Sequence, residues 1–423
     1  MTPRPGRGNA HTVGPGAASW LNRHRLAHRL SDAVGTLSRP PAPPAYLVDL
    51  DAFEANADDL VRRAGGTPIR VATKSLRVPD LIRRALARPG FRGVLAYTLR
   101  EALWLHRHGV SDDIVLGYPT TDREALRQLT RDERAASAIT VMVDDPAQLD
   151  LLEQARAGSS GPPVRIALDV DAALQVGPVH LGPRRSPVRD TAAAVALARE
   201  VTARDGFVLD GVMTYEGQVA GVPDAVPGHR ARSAAVRGIK AASVRQLARR
   251  RRAIAEALAQ EGLARLRFWN AGGTGSLELS AADPAVTEVT AGSGLLVPTL
   301  FDHYRAFSAR PAAFLGFPVV RRPGPGRVTV AGGGLIASGP PGADRVPTPW
   351  APPGLRLAPL EGAGEVQTPL SGTDADLLAL GDWVWFRHAK AGEPAEHVRS
   401  VHLVRGRSVE ATEPTYRGVD DPW

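Results

Sequence analysis

Between Ala45 and Thr290 the chain repeats one pattern, a short apolar run followed by a longer amphipathic one. The apolar runs are Ala45–Leu50, Ile69–Thr73, Gly93–Ala96, Asp113–Leu116, Thr140–Val143, Val164–Val170, Phe207–Tyr215, Arg267–Asn270 and Glu288–Thr290. Helical patterns separate them, the longest covering about His229–Leu266. A helix between two strands must cross back over the sheet, so such a series predicts parallel pairing. Eight or nine units predict an α/β fold with a closed (β/α)₈ TIM-like barrel in place of an open doubly wound sheet. After Pro298 the helical periodicity fades, Gly and Pro rise, and β-like runs appear at Phe317–Arg321, Arg327–Ala331, Trp383–Arg387 and Val398–Val404. The expected organisation is an Arg/Gly/Pro-rich N-terminal extension over 1–44 with a short helix near Ala18–Leu37, a barrel over 45–297, and a C-terminal β domain over 298–423.

Composition excludes several classes. No run of 18 apolar residues is present, so no transmembrane helix is expected, and the N-terminus lacks the apolar stretch of a secretory signal. Cysteine is absent, which removes disulfides, thiol nucleophiles and thiolate metal ligands. A cytoplasmic enzyme is the simplest expectation. The net charge of +8 raises nucleic acid binding. The densest basic run, Arg249–Arg252, falls within the long helix, and the other basic residues are scattered among acids. The reading is a solvated helix face, with neither a nucleic acid nor a membrane partner.

Of 52 basic residues only three are lysine: Lys74, Lys240 and Lys390. A chain that uses arginine almost wherever a cation serves keeps lysine where arginine cannot act. Arginine stays protonated, whereas lysine can lose its proton and form a Schiff base with a carbonyl. Lys74 directly follows the apolar run Ile69–Thr73, read as the second barrel strand. The C-terminal ends of barrel strands carry active sites. Two glycine-rich segments follow the last runs: Gly272-Gly273-Thr274-Gly275-Ser276, and Gly292-Ser293 within Ala291–Gly294. Glycine lets backbone amides approach an anion, and late barrel loops commonly hold phosphate. A dinucleotide-binding reading fits less well, because these glycines close the series instead of opening it.

The opening Pro44–Asp51 (PAYLVDLD), Asn56 and the strand ending in Lys74 resemble the alanine racemase-type pyridoxal 5'-phosphate (PLP) barrels. The likeness is greatest to the D-threonine aldolase and D-serine dehydratase branch, including an amino acid deaminase/aldolase subgroup. The resemblance implies a Schiff base between Lys74 and PLP, with Arg185 (in HLGPRR) and Tyr215 (in YEGQ) near the cofactor ring and both glycine segments holding its phosphate. It implies substrate contacts at Gln218, Asp302 and Tyr304. The histidines usual near the lysine are absent, with Ala72, Leu76 and Arg77 there instead. That branch places a divalent metal at a His-x-Asp or His-x-Cys pair. Here His388 is followed by Lys390, and an ammonium cannot ligate a metal. His388 is left as the candidate ligand, with Glu393 and His397 off the usual spacing, and Lys390 becomes a candidate catalytic cation.

The function implied is a PLP-dependent lyase acting on a D-configured β-hydroxy amino acid, by retro-aldol cleavage or by deamination. A homodimer is also implied. The alternatives are a PLP-dependent amino acid racemase, which needs a second base, and a non-catalytic PLP-binding protein, which would not need the β domain.

Overall fold

The strand-to-helix switches are written in polar side chains that cap helix N-termini. Asp49, Thr98, Asp122, Asp145 and Asp190 each accept a hydrogen bond from a first-turn backbone amide, and Asp145 completes a capping box with Gln148. The structure is a computed structural model describing residues 15–157, 161–263 and 265–420, with side chains from residue 21 onward. Eight parallel strands close into a barrel in the order Ile69–Ala72, Phe91–Ala96, Ile114–Leu116, Ile139–Val143, Val164–Asp169, Phe207–Thr214, Phe268–Ala271 and Glu288–Ala291. Closure is direct, with Val289 paired to Ile69 and Ala291 to Val71.

The barrel interior is layered. Leu95, Val115, Met142, Ala167, Met213 and Phe268 fill its middle. Towards the N-terminal ends of the strands a charged network takes over. Arg70 bridges Glu288 (2.7 Å) and Asp113 (3.0 Å), while Arg267 bridges Asp113 and Asp210 (2.8 Å each). That end is filled by side chains, and a cavity opens at the C-terminal ends of the strands.

The first apolar run corrects the expected boundary at residue 45. Ala45–Asp49 is not a barrel strand. It pairs antiparallel with Ala313–Gly324 and parallel with Ser400–Arg405, inside the nine-stranded sheet of the C-terminal region. All five of its residues are buried. A strand covered on both faces has the same apolar signature in either sheet, so periodicity alone could not assign it. Lys74 therefore follows the first barrel strand, not the second.

The extension is corrected likewise. The helix Pro15–Gly35 packs Ala27, Leu30, Ala33 and Val34 against Leu47, Phe314 and Trp385. The Trp385 indole N–H donates to Ser31 Oγ at 3.1 Å, and Arg29 pairs with Asp49. Residues 15–35 thus belong to the β region. The first 14 residues of the expected extension, and the last three of the expected β domain, lie outside the described residues. Among the described residues no helix is long and apolar enough to cross a membrane.

The long helix is Arg230–Gln260, and its basic run turns partly inward. Buried Arg251 pairs with Glu216 and Asp283 (3.0 Å each), and Arg250 donates to the carbonyls of Asp171 and Ala173.

Candidate active site

Lys74 sits on a single 3₁₀ turn, Thr73–Ser75, at the end of strand Ile69–Ala72. The turn is held from several sides. Thr73 Oγ1 donates to the Leu95 carbonyl at 3.1 Å, and Ser75 Oγ lies 3.1 Å from Ser293 Oγ. Arg77 adopts a left-handed φ of 54°, donates from Nε to the Lys74 carbonyl at 3.1 Å, and reaches Glu396 at 2.6 Å. A non-glycine residue in that region is strained, and strain persists only where the surroundings impose it. The β region imposes it here. The Tyr416 amide donates to the Arg77 carbonyl, and Gly392, at φ 82°, packs so closely on the Lys74 carbonyl that a Cβ would overlap it.

Across the barrel mouth the strand ends build one cavity of about 1140 Å³, counting its open entrance. It brings together Lys74, Arg185, Tyr215, Gly272, Gly273, Thr274, Gly292 and Ser293. The two glycine loops are tied together, since the Gly294 amide donates to Thr274 Oγ1 at 2.9 Å. A Cβ on Gly292 would lie 2.7 Å from the Ala72 carbonyl oxygen and 2.8 Å from Ser75 Cβ, so only glycine lets this loop lie against the Lys74 turn.

Buried Glu216 supports the first loop from behind. It accepts from Ser276 Oγ (2.7 Å), from Ser280 Oγ, from Arg251 (3.0 Å) and from the Gly272 amide (3.4 Å). Its role was not evident in the sequence, because its partners lie 35 to 64 residues away.

The remaining expected site residues lie elsewhere. Ser276 is turned towards Glu216 and the Gly273 amide, and Gly275 packs against Ala220 and Tyr304, so both stand behind the loop. Gln218 donates to the Ala172 carbonyl at 2.8 Å and lines an adjoining recess with Arg185 and Tyr215. Asp302 is occupied in a bidentate pair with Arg387 (2.6 and 2.8 Å), which corrects its reading as a substrate contact. Tyr304 is corrected likewise: it is buried, donates to the Ala220 carbonyl at 2.9 Å, and stacks between Phe301 and Phe307.

The expected metal and cation positions are also corrected. His388 and Lys390 line a separate small recess with Glu393 and His397. His388 is fully buried, and burial together with the neighbouring Arg387 pushes its imidazole down to about 3. Lys390 Nζ donates to Ser338 Oγ at 2.9 Å, lies 3.9 Å from Glu393 and lines that recess, near enough for the Lys74 charge to act on it but outside the lining of the Lys74 cavity. Among the described residues no group of three or more His, Cys, Asp or Glu side chains is arranged to hold a metal. The third lysine, Lys240, is buried against Asp224 (3.2 Å) and the Tyr304 ring.

Three cavity residues were missed. Tyr118, at the end of strand Ile114–Leu116, accepts a hydrogen bond from Lys74 Nζ at 3.1 Å. Asp169 ends strand Val164–Asp169, Asp171 follows two residues on, and both line the cavity. Burial, with Asp144 and Asp171 nearby, pushes the Asp169 carboxyl up to about 7 against the opposing pull of Arg185. Tyr215 is pushed up to about 12 by burial and by Glu216, so it remains a phenol donor.

The Asp169 shift has a consequence for stability. The folded chain holds that proton to about pH 7, while an unfolded aspartate releases it near ~4, so stability should fall as pH rises through this interval. Asp169→Asn is expected to raise the unfolding free energy measured by denaturant at about pH 8, by ~1 kcal/mol to a few, with the gain vanishing below about pH 4. A pH-independent difference between the two chains would contradict this.

Comparison with known proteins agrees with the geometry. The family described as alanine racemase, N-terminal domain, matches residues 48–298. D-threonine aldolase of Arthrobacter sp. is 29% identical over 252 residues, 59% of this chain and 60% of that protein. The chain thus spans less than two thirds of the length of that relative. Among solved structures, D-threonine aldolase from Filomicrobium marinum has a TM-score of 0.74 at 20% identity, covering 90% of this chain and 99% of its own. D-threo-3-hydroxyaspartate dehydratase from Delftia sp. HT23 has a TM-score of 0.67 at 20% identity, with the same coverages. At these identities the structural likeness is one of fold.

Proposed function

Since the chain belongs to the family of the alanine racemase N-terminal domain, we propose that it is a PLP-dependent lyase acting on a D-configured β-hydroxy amino acid. One observation carries the reading. Lys74, the only lysine in the cavity, shares it with two glycine-rich loops. The donor set suits PLP: an amine for its aldehyde, aromatic and guanidinium groups beside its ring, and glycine-rich loops at the cavity wall whose backbone can approach an anion. Lys74 would hold the aldehyde carbon. Gly272, Gly273, Thr274, Gly292 and Ser293 would hold the phosphate, and Arg185 and Tyr215 would flank the ring. Bound PLP supplies an electron sink for charge developing at the substrate Cα.

The chain's own groups supply the proton chemistry. The Lys74 amine, once free, can take a proton from Cα. Asp169, with its raised pKa, can hold a proton at the cavity wall. The Lys74 and Arg185 cations favour an amino acid carboxylate. The names of the relatives support a D-hydroxy amino acid as substrate. By the same resemblance we propose a homodimer, and from the composition a cytoplasmic one.

The test is product analysis with D-serine, D-threonine and D-3-hydroxyaspartate, and with their L enantiomers. The expected result is consumption of D forms only, giving either glycine plus an aldehyde or ammonia plus a keto acid. Interconversion of enantiomers without cleavage would overturn the lyase reading in favour of a racemase.

A further inference from the structure

Lys74 can capture an aldehyde only as a neutral amine, so a base beside it would speed that capture at neutral pH. We propose that Tyr118 is that base. The geometry assigns this role to no other cavity group. The Lys74 Nζ-to-Tyr118 oxygen distance is 3.1 Å, and this is the one hydrogen bond that Nζ makes among the described residues. Tyr118 and Lys74 stand at the ends of different barrel strands, so the rigid sheet sets their separation. Arg185 approaches from a third segment, its guanidinium carbon 5.6 Å from the Tyr118 ring centroid and 5.9 Å from that of Tyr215.

The step moves one proton. An N–H bond of the Lys74 ammonium breaks and an O–H bond forms on the Tyr118 phenolate, leaving a neutral amine and a phenol. The groups facing Tyr118 are Lys74, Arg185 and Tyr215, and Asp169 faces Arg185 in turn. Burial pushes the Tyr118 phenol up, but Lys74 and Arg185, by charge and hydrogen bonding, together bring it below the ordinary tyrosine value. Arg185 remains a cation throughout, so it favours the Tyr118 phenolate before the transfer and stays beside the neutral phenol after it.

This inference rests on reading Lys74 as the aldehyde-capturing amine, and its test avoids the cofactor. Formaldehyde with a mild hydride donor methylates free amines, and the chain has only three lysines to map by mass spectrometry. In Tyr118→Phe, Lys74 labelling at neutral pH should slow by roughly tenfold or more relative to Lys390, with the deficit closing at high pH where hydroxide removes the proton. A pH-independent loss, or none, would overturn the role. Lys240, buried against Asp224, reports unfolding if it becomes reactive.

A phenolate absorbance titration of the unaltered chain supplies a second measurement. One of the six tyrosines should ionise ahead of the rest, and later in Lys74→Met. Absence of an early phenol would equally overturn the role. Failure of these tests in a chain that still takes up PLP rejects Tyr118 alone. Success in a chain that takes up none rejects the proposed function alone.

Discussion

Replacing Lys74 with alanine is expected to lower turnover by about three orders of magnitude or more, because the substitution removes both the covalent attachment point and a base. Steady-state kinetics with excess PLP measures this. Lys74→Arg should be no better, since guanidinium keeps its proton and cannot attack an aldehyde. The fold should survive either change. Lys74 Nζ makes one hydrogen bond, to Tyr118, and the turn is held by contacts to the backbone of residues 73 to 77. A Lys74→Ala chain that kept more than a tenth of its activity would remove the lysine from the chemistry.

The second large effect is structural. Glu216→Ala should destabilise the chain by about 1–3 kcal/mol, the range for leaving buried polar groups unsatisfied, since Arg251 keeps the Asp283 carboxylate. The loss would leave the Arg251 guanidinium with Asp283 and Thr214 but without the Glu216 carboxylate, and would leave Ser276 and Ser280 without that acceptor. The same substitution should loosen the Gly272–Ser276 loop and weaken phosphate binding. Denaturant unfolding of the apo chain measures the first effect, and PLP titration the second. A loss below about 1 kcal/mol would mean that the network rearranges at little cost.

The barrel was legible because alternating apolar and amphipathic runs leave few topologies open, and the cap residues mark where each helix begins. The strand Ala45–Asp49 was misassigned because burial on both faces looks the same in either sheet. Its partners, Ala313–Gly324 and Ser400–Arg405, lie more than 250 residues away in sequence. Lys74 was visible through the scarcity of lysine, a signal that needs no fold. Tyr118 and Asp169 gave no such signal. A tyrosine or aspartate near a strand end is ordinary until closure of the barrel brings it into the same cavity as Lys74.

The C-terminal candidates went astray for a related reason. Asp302, Tyr304, His388 and Lys390 were chosen by resemblance of short motifs. The structure shows each engaged by a neighbour invisible to those motifs: Arg387 for Asp302, Ala220 for Tyr304, burial beside Arg387 for His388, and Ser338 with Glu393 for Lys390. Of the three scarce lysines, Lys74 alone lines the cavity at the barrel mouth, while Lys240 and Lys390 are held elsewhere.

The most direct measurement is a borohydride reduction of the purified chain after incubation with PLP, followed by peptide mapping. The expected result is an absorption band from a cofactor–lysine adduct that disappears on reduction, with the pyridoxyl group on Lys74 and none on Lys240 or Lys390. A chain that stays colourless with PLP, or that carries the label on another lysine, would contradict it.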